Sequence, residues 1–77
     1  MESYFLELRT VVTQALKQRM PIIRTDSWTY LLGQDGLWHA RGCAQGEEIF
    51  ICFLALVEDN GEAWHVQRIH MTIYGQQ

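Results

Sequence analysis

Seventy-seven residues, 48% hydrophobic and 19% charged, exclude a multi-domain enzyme and a disordered tail and describe a single domain over residues 1–77. A chain this short buries only about 60% of its unfolded surface, so one core supplies roughly 3–5 kcal/mol and help from a second chain is expected. Six Lys and Arg stand against nine Asp and Glu, a formal net charge of −3, which lacks the basic footprint of a phosphate-binding surface, so no direct nucleic-acid ligand is expected.

Met1 is followed by Glu2 with no basic n-region and no cleavage signature, so no secretory leader is expected. The longest apolar run, residues 49–57, is half of the about 20 residues a spanning helix needs, and no membrane association is expected. Cys43 and Cys52 are too few for a secreted disulfide framework, which points to the cytoplasm and to free thiols. Cys52, inside the apolar run, reads as a small core residue.

From Ser3 to Met20, Phe5, Leu8, Val12, Ala15 and Leu16 recur at helical spacing, with Tyr4 and Val11 widening the stripe. Ser3 is placed to cap the first turn, Lys17 and Arg19 lie near the negative end of the dipole, and Pro21 stops the helix. The predicted helix spans about residues 2–20. Residues 22–24 are too few for periodicity to separate a strand from a connection. Trp28-Thr29-Tyr30-Leu31-Leu32, the turn residues Gly33-Gln34-Asp35-Gly36, and Leu37-Trp38-His39-Ala40-Arg41 form a hairpin signal. With a two-residue turn, Trp28, Tyr30 and Leu32 share a face with Leu37, His39 and Arg41, which lets Arg41 stack on Trp28 or Tyr30.

Residues 42–46 read as a loop by composition. Residues 49–57 fit either a helix or a strand by apolar content, and the Ile, Phe and Val enrichment with the following Asn60-Gly61 favours a strand entering a hairpin. The last strand, residues 63–74, divides by alternation into Trp64, Val66, His70 and Tyr74 against His65, Ile69, Met71 and Ile73. The predicted fold class is α+β: an N-terminal helix packed on a three- to four-stranded antiparallel meander sheet.

The third strand is apolar on both sides, with Ile49, Ile51, Phe53, Ala55 and Val57 on one and Phe50, Cys52, Leu54 and Leu56 on the other. One helix covers about half of such a sheet, so an uncovered strip is expected to serve as an interface. The expected interface residues are Trp28, Tyr30, Trp38, Phe53 (or Phe50) and Trp64, with Arg41 and the acidic tip at the rim. That tip gathers Glu58, Asp59 and Glu62 around Asn60-Gly61; it reads as a solvated turn or as a steering charge for a basic partner, joined by Glu47 and Glu48 if the sheet curls.

Other chemistries leave weaker traces. His39-x3-Cys43 and His65-x4-His70 supply ligand types for zinc, but odd spacing along a strand sends His65 and His70 to opposite faces. Cys43 and His39 are the best thiol–imidazole pair, with no motif around them, and the glycines are turn punctuation, so no catalysis and no cofactor are expected. Trp28, Tyr30, Trp38 and Arg41 have the composition of a single-strand RNA platform, which the negative total opposes. The expected function is a non-catalytic protein–protein interaction module, itself a homodimer, that acts as an accessory adaptor, regulator or inhibitor of a larger protein. The rival is a small-molecule or zinc module using His39, Cys43 and a histidine of the last strand.

Overall fold

The computed structural model describes residues 2–76 of the chain, excluding the side chains of Glu2, Ser3 and Gln76, so the Ser3 cap lies outside the described residues. Helix α1 (Glu2–Arg19) is followed by strands β1 (Ile22–Leu32), β2 (Trp38–Gly46), β3 (Ile49–Asp59) and β4 (Trp64–Gln76). The four strands form one antiparallel sheet in the order β1-β2-β3-β4, the predicted meander. Among the described residues no helix is long and apolar enough to cross a membrane.

The helix ends where the chemistry requires. The Met20 N–H donates to the Leu16 carbonyl at 2.9 Å, satisfying one of the orphan acceptors of the last turn, and Arg19 Nη1 adds a donor to the Ala15 carbonyl at 2.9 Å. Pro21 then precedes β1, which begins at once with Ile22, so the undecided residues 22–24 are strand. The apolar run forms β3. Residues 42–46, expected as a loop, belong to β2: Ala44 and Gly42 pair with Ile51 and Phe53, and cross-strand pairing overrides their loop-like composition.

The core lies between α1 and one face of the sheet. Leu8, Val12 and Leu16 of the helix are buried against Ala40 and Ala44 of β2 and Ile51, Phe53, Ala55 and Val57 of β3. Each buried helix side chain contributes about 1.5–3 kcal/mol by leaving water. The small residues on β2 let the helix stripe approach the sheet. Gly42 is required by close approach: a Cβ there would lie 2.8 Å from the Phe53 ring and 3.0 Å from the Asp26 carbonyl oxygen.

Register shifts in β1 and β4 and one loop decide which side chains face the helix. In β1, Asp26 pairs with Cys43 and Thr29 with Arg41, so three steps on β1 oppose two on β2. The extra residue is accommodated at Ser27, whose φ of 58° is left-handed, and this bulge turns Trp28 toward the helix. The β1–β2 loop runs from Gly33 to Leu37, closed by the Gly33 N–H donating to the Leu37 carbonyl at 2.8 Å, with Gly36 at φ 83°. Leu32 therefore faces Trp38 and Tyr30 faces Ala40, whereas Arg41 and His39 point to the other side. This corrects the expected stacking of Arg41 on Trp28 or Tyr30, which assumed a two-residue turn. In β4, Val66 pairs with Val57 and Arg68 with Leu56, so Gln67 is extra. Trp64, Val66, Ile69, Met71 and Ile73 consequently share the helix side, and His65, Arg68, His70, Thr72 and Tyr74 the other, correcting the alternation read from sequence.

Asp35 holds the β1–β2 loop. Its Oδ1 accepts the Leu37 N–H at 3.0 Å, and its carboxylate lies 3.4 Å from His39 Nε2. The Leu37 N–H first, and His39 second, lower the Asp35 pKa below the ordinary aspartate value. A lowered folded-state pKa means that the unfolded chain binds the proton more readily. The contribution is therefore complete above the ordinary value and is lost as pH falls through the folded one. Thermal midpoints measured from neutral pH to below about pH 4 should fall less steeply for Asp35→Asn than for the native chain. Parallel acid limbs would show that this carboxylate is not coupled to folding.

Candidate functional site

The helix occupies one face of the sheet, and the residues expected at an interface are under it. Phe5 stacks on Tyr30 with centroids 4.6 Å apart and meets Trp38 edge-on at 5.5 Å. Tyr4 meets Trp38 at 5.9 Å and Trp64 at 4.9 Å. Trp28 meets Phe53 edge-on at 5.0 Å and anchors its Nε1 on Thr25 Oγ1 at 3.0 Å. The cation over Trp28 is Arg9, 5.5 Å from the ring centroid, with its Nε donating to the Tyr30 hydroxyl at 3.1 Å. Trp28, Tyr30, Trp38, Phe53 and Trp64 thus form the aromatic half of the α1–sheet contact. Their proximity to one another was legible; that α1 itself supplies their partners was not, because the helix stripe carries Tyr4, Phe5 and Arg9 at positions that sequence alone could not register against the sheet.

Among the described residues no helix lies on the opposite face. Its centre is the β3 column Phe50, Cys52, Leu54 and Leu56, each half-buried by neighbouring strands alone. The β2 column beside it is Gln45, Cys43, Arg41 and His39, and the β4 column is Tyr74, Thr72, His70 and Arg68. The Tyr74 ring lies 6.0 Å from the Phe50 ring and is 58% exposed; Leu31, opposite His39 on β1, is 67% exposed. Arg24 bonds to Gln45 Oε1 through Nε at 2.8 Å and through Nη2 at 2.5 Å.

Charge is divided between the two sides. The open face carries Arg24, Arg41, Arg68 and all three histidines, with Asp26 and Glu58 as its acids, while the remaining acids lie in the turns, along the helix and, for Asp59, at the helix-side end of β3. The bulk charge of −3 hides this, and only the strand register brings it out. Glu58 is held by Gln67 Nε2 at 2.7 Å.

The acidic tip is partly consumed by the fold. Asp59 Oδ1 accepts the Gly61 N–H at 2.9 Å and Asp59 Oδ2 accepts the Tyr4 hydroxyl at 3.1 Å, while Asn60 Oδ1 accepts the N–H groups of Glu62 and Ala63. Burial, and then the Asp59 carboxylate, push the Tyr4 hydroxyl pKa up, which keeps it a donor. Glu62 stays exposed. Glu47 and Glu48 sit in the β2–β3 turn, at the other end of β3 from this tip, so they do not join it.

The metal and thiol–imidazole readings lose their geometry. His65 and His70 do share the open face, because of the β4 bulge, but they pair with Glu58 and Leu54, roughly 13 Å apart along β3. His39 and Cys43 are likewise four residues apart on one strand, with His39 against Asp35. Among the described residues no three His, Cys, Asp or Glu side chains converge as metal ligands. Cys43 faces another sulfur: its Sγ lies 3.5 Å from Cys52 Sγ, so Cys52 is on the open face rather than in the core.

The fold and its open face define a small α+β domain, one helix laid on an antiparallel meander, with the second sheet face bare. Comparison with protein-family models, with curated proteins and with solved structures returns no match.

Proposed function

We propose that this chain is a non-catalytic protein–protein interaction module of the cytoplasm, an accessory adaptor or regulator, that docks through the helix-free face of its sheet. The observation that carries the reading is the β3 column of Phe50, Cys52, Leu54 and Leu56, apolar where an antiparallel sheet facing water is normally polar. The non-catalytic part is supported by the pairing of the candidate groups: the Cys43 thiol meets a second thiol, and His39 meets a turn carboxylate.

The occupant is a second copy of the chain. Four strands about 4.8 Å apart, at about 3.3 Å per residue, make a face of roughly 700 Å², close to the about 800 Å² per partner of a standard stable interface. A two-fold axis running along the strands between β2 and β3 lays the Arg41 and His39 column of one copy over the Leu54 and Leu56 column of the other. No guanidinium then meets another, and the arginine stems cover leucine. The larger protein that such a dimer would regulate is to be sought among partners of this assembled form.

Site-specific photocrosslinking tests the reading. A benzophenone side chain at Leu56 of the purified chain should give a covalent dimer on irradiation, while the same group at Gln14, on the exposed side of α1, should give none. Equal yields from the two positions, or none from Leu56, would remove the open face as the docking surface.

A further inference from the structure

Cys43 and Cys52 are direct partners across the β2–β3 ladder, and their Sγ atoms lie 3.5 Å apart. Opposed residues in an antiparallel pair have Cα atoms about 4.5 or 5.5 Å apart, and both spacings lie inside the about 4.4–6.8 Å that disulfides span. Closing a bond of about 2.05 Å therefore asks for small rotations about the two Cα–Cβ bonds, with the strands already in place. Both residues are only half-buried, and they floor an open depression of about 380 Å³ lined also by Ser27, Arg41, His70 and Thr72. A small disulfide has access to them. The neighbouring sulfur is the leading cause that raises the Cys43 pKa, which lowers its thiolate fraction and slows its attack on a disulfide without changing which bonds form.

We propose that Cys43 and Cys52 are a reversible dithiol–disulfide couple, oxidised within one chain by a low-molecular-weight disulfide such as oxidised glutathione. One cysteine, as thiolate, attacks a sulfur of oxidised glutathione; that S–S bond breaks, one glutathione thiolate leaves, and a protein–glutathione mixed disulfide forms. The second cysteine, losing its proton to solvent, attacks the protein sulfur of the mixed disulfide and expels the second glutathione thiolate, which takes up a proton. Two protein thiols are oxidised to one disulfide, and one glutathione disulfide is reduced to two thiols. Excess reduced glutathione runs the same steps backwards. The bond ties β2 to β3 at the middle of the open face; the dimer of the proposed function covers both sulfurs, so the exchange runs through the dissociated chain and slows as that dimer forms.

The test is to equilibrate the full chain in glutathione buffers from fully reduced to fully oxidised, alkylate the remaining thiols and weigh the products. Oxidising buffer should take alkylatable thiols from two per chain to none. The mass before alkylation should be lower by two hydrogens, with a peptide linking Cys43 to Cys52 and single-chain migration on a non-reducing gel. Reduced glutathione should restore both thiols. Cys52→Ser, checked for a native circular dichroism spectrum, should stop at one glutathione adduct. The proposal is overturned if the native chain keeps both thiols in oxidising buffer, if it stops at stable glutathione adducts, or if its disulfide joins two chains.

Discussion

Phe53→Ala is expected to lower the unfolding free energy by about 3–5 kcal/mol, most of what a chain this short commands. The ring is 4% exposed, lies over the Cα of Gly42 and meets Trp28 edge-on. Removing it opens a void bounded by β2 backbone and by the Trp28 indole. Neither closes easily, because Trp28 is pinned by Thr25 and capped by Arg9. Chemical denaturation monitored by tryptophan fluorescence reads the loss directly. A shift under about 1 kcal/mol would place Phe53 at the surface.

Leu54→Arg should do the reverse, leaving the fold and breaking the assembly. Leu54 is half-buried on the open face, between Arg41 on β2 and His70 on β4, so a third basic side chain there has no carboxylate within its own row. Self-association should weaken by about 2 kcal/mol or more, roughly 30-fold in dissociation constant, while the unfolding midpoint moves by only a few degrees. Gln14→Arg, on the exposed side of α1, is the control for added charge and should leave assembly unchanged. If both substitutions weakened association equally, net charge rather than this face would govern it.

The two substitutions exchange the roles that alternation alone assigns. The period of Phe5, Leu8, Val12 and Leu16 set the helix, β-branched and aromatic runs set the strands, and Asn60-Gly61 set the last hairpin, so the α+β meander was legible. The doubly apolar β3 was legible too, with Ile51, Phe53, Ala55 and Val57 buried under the helix and Phe50, Cys52, Leu54 and Leu56 half-buried on the other face. What could not be read was which side chains belong to which face. A bulge at Ser27 and an extra residue at Gln67 each shift the parity of a strand by one, and the Gly33–Leu37 loop shifts it again across the first hairpin. Bulges follow from packing, as Trp28 turns to reach Phe53, and leave no local sequence signal beyond a serine in a strand. The aromatics expected on an uncovered strip lie under α1 instead, because the helix could not be registered on the sheet from sequence, and the juxtaposition of Cys43 with Cys52, nine residues apart, emerged only from the register.

Sedimentation velocity of the untagged chain across a concentration series is the most direct measurement of the open-face account. A reversible dimer of twice the 9.0 kDa chain mass, with a dissociation constant of about micromolar or tighter, is the predicted result. A single 9.0 kDa species at every concentration up to the millimolar range would contradict it, because the Phe50 to Leu56 column would then be stable in water with nothing upon it.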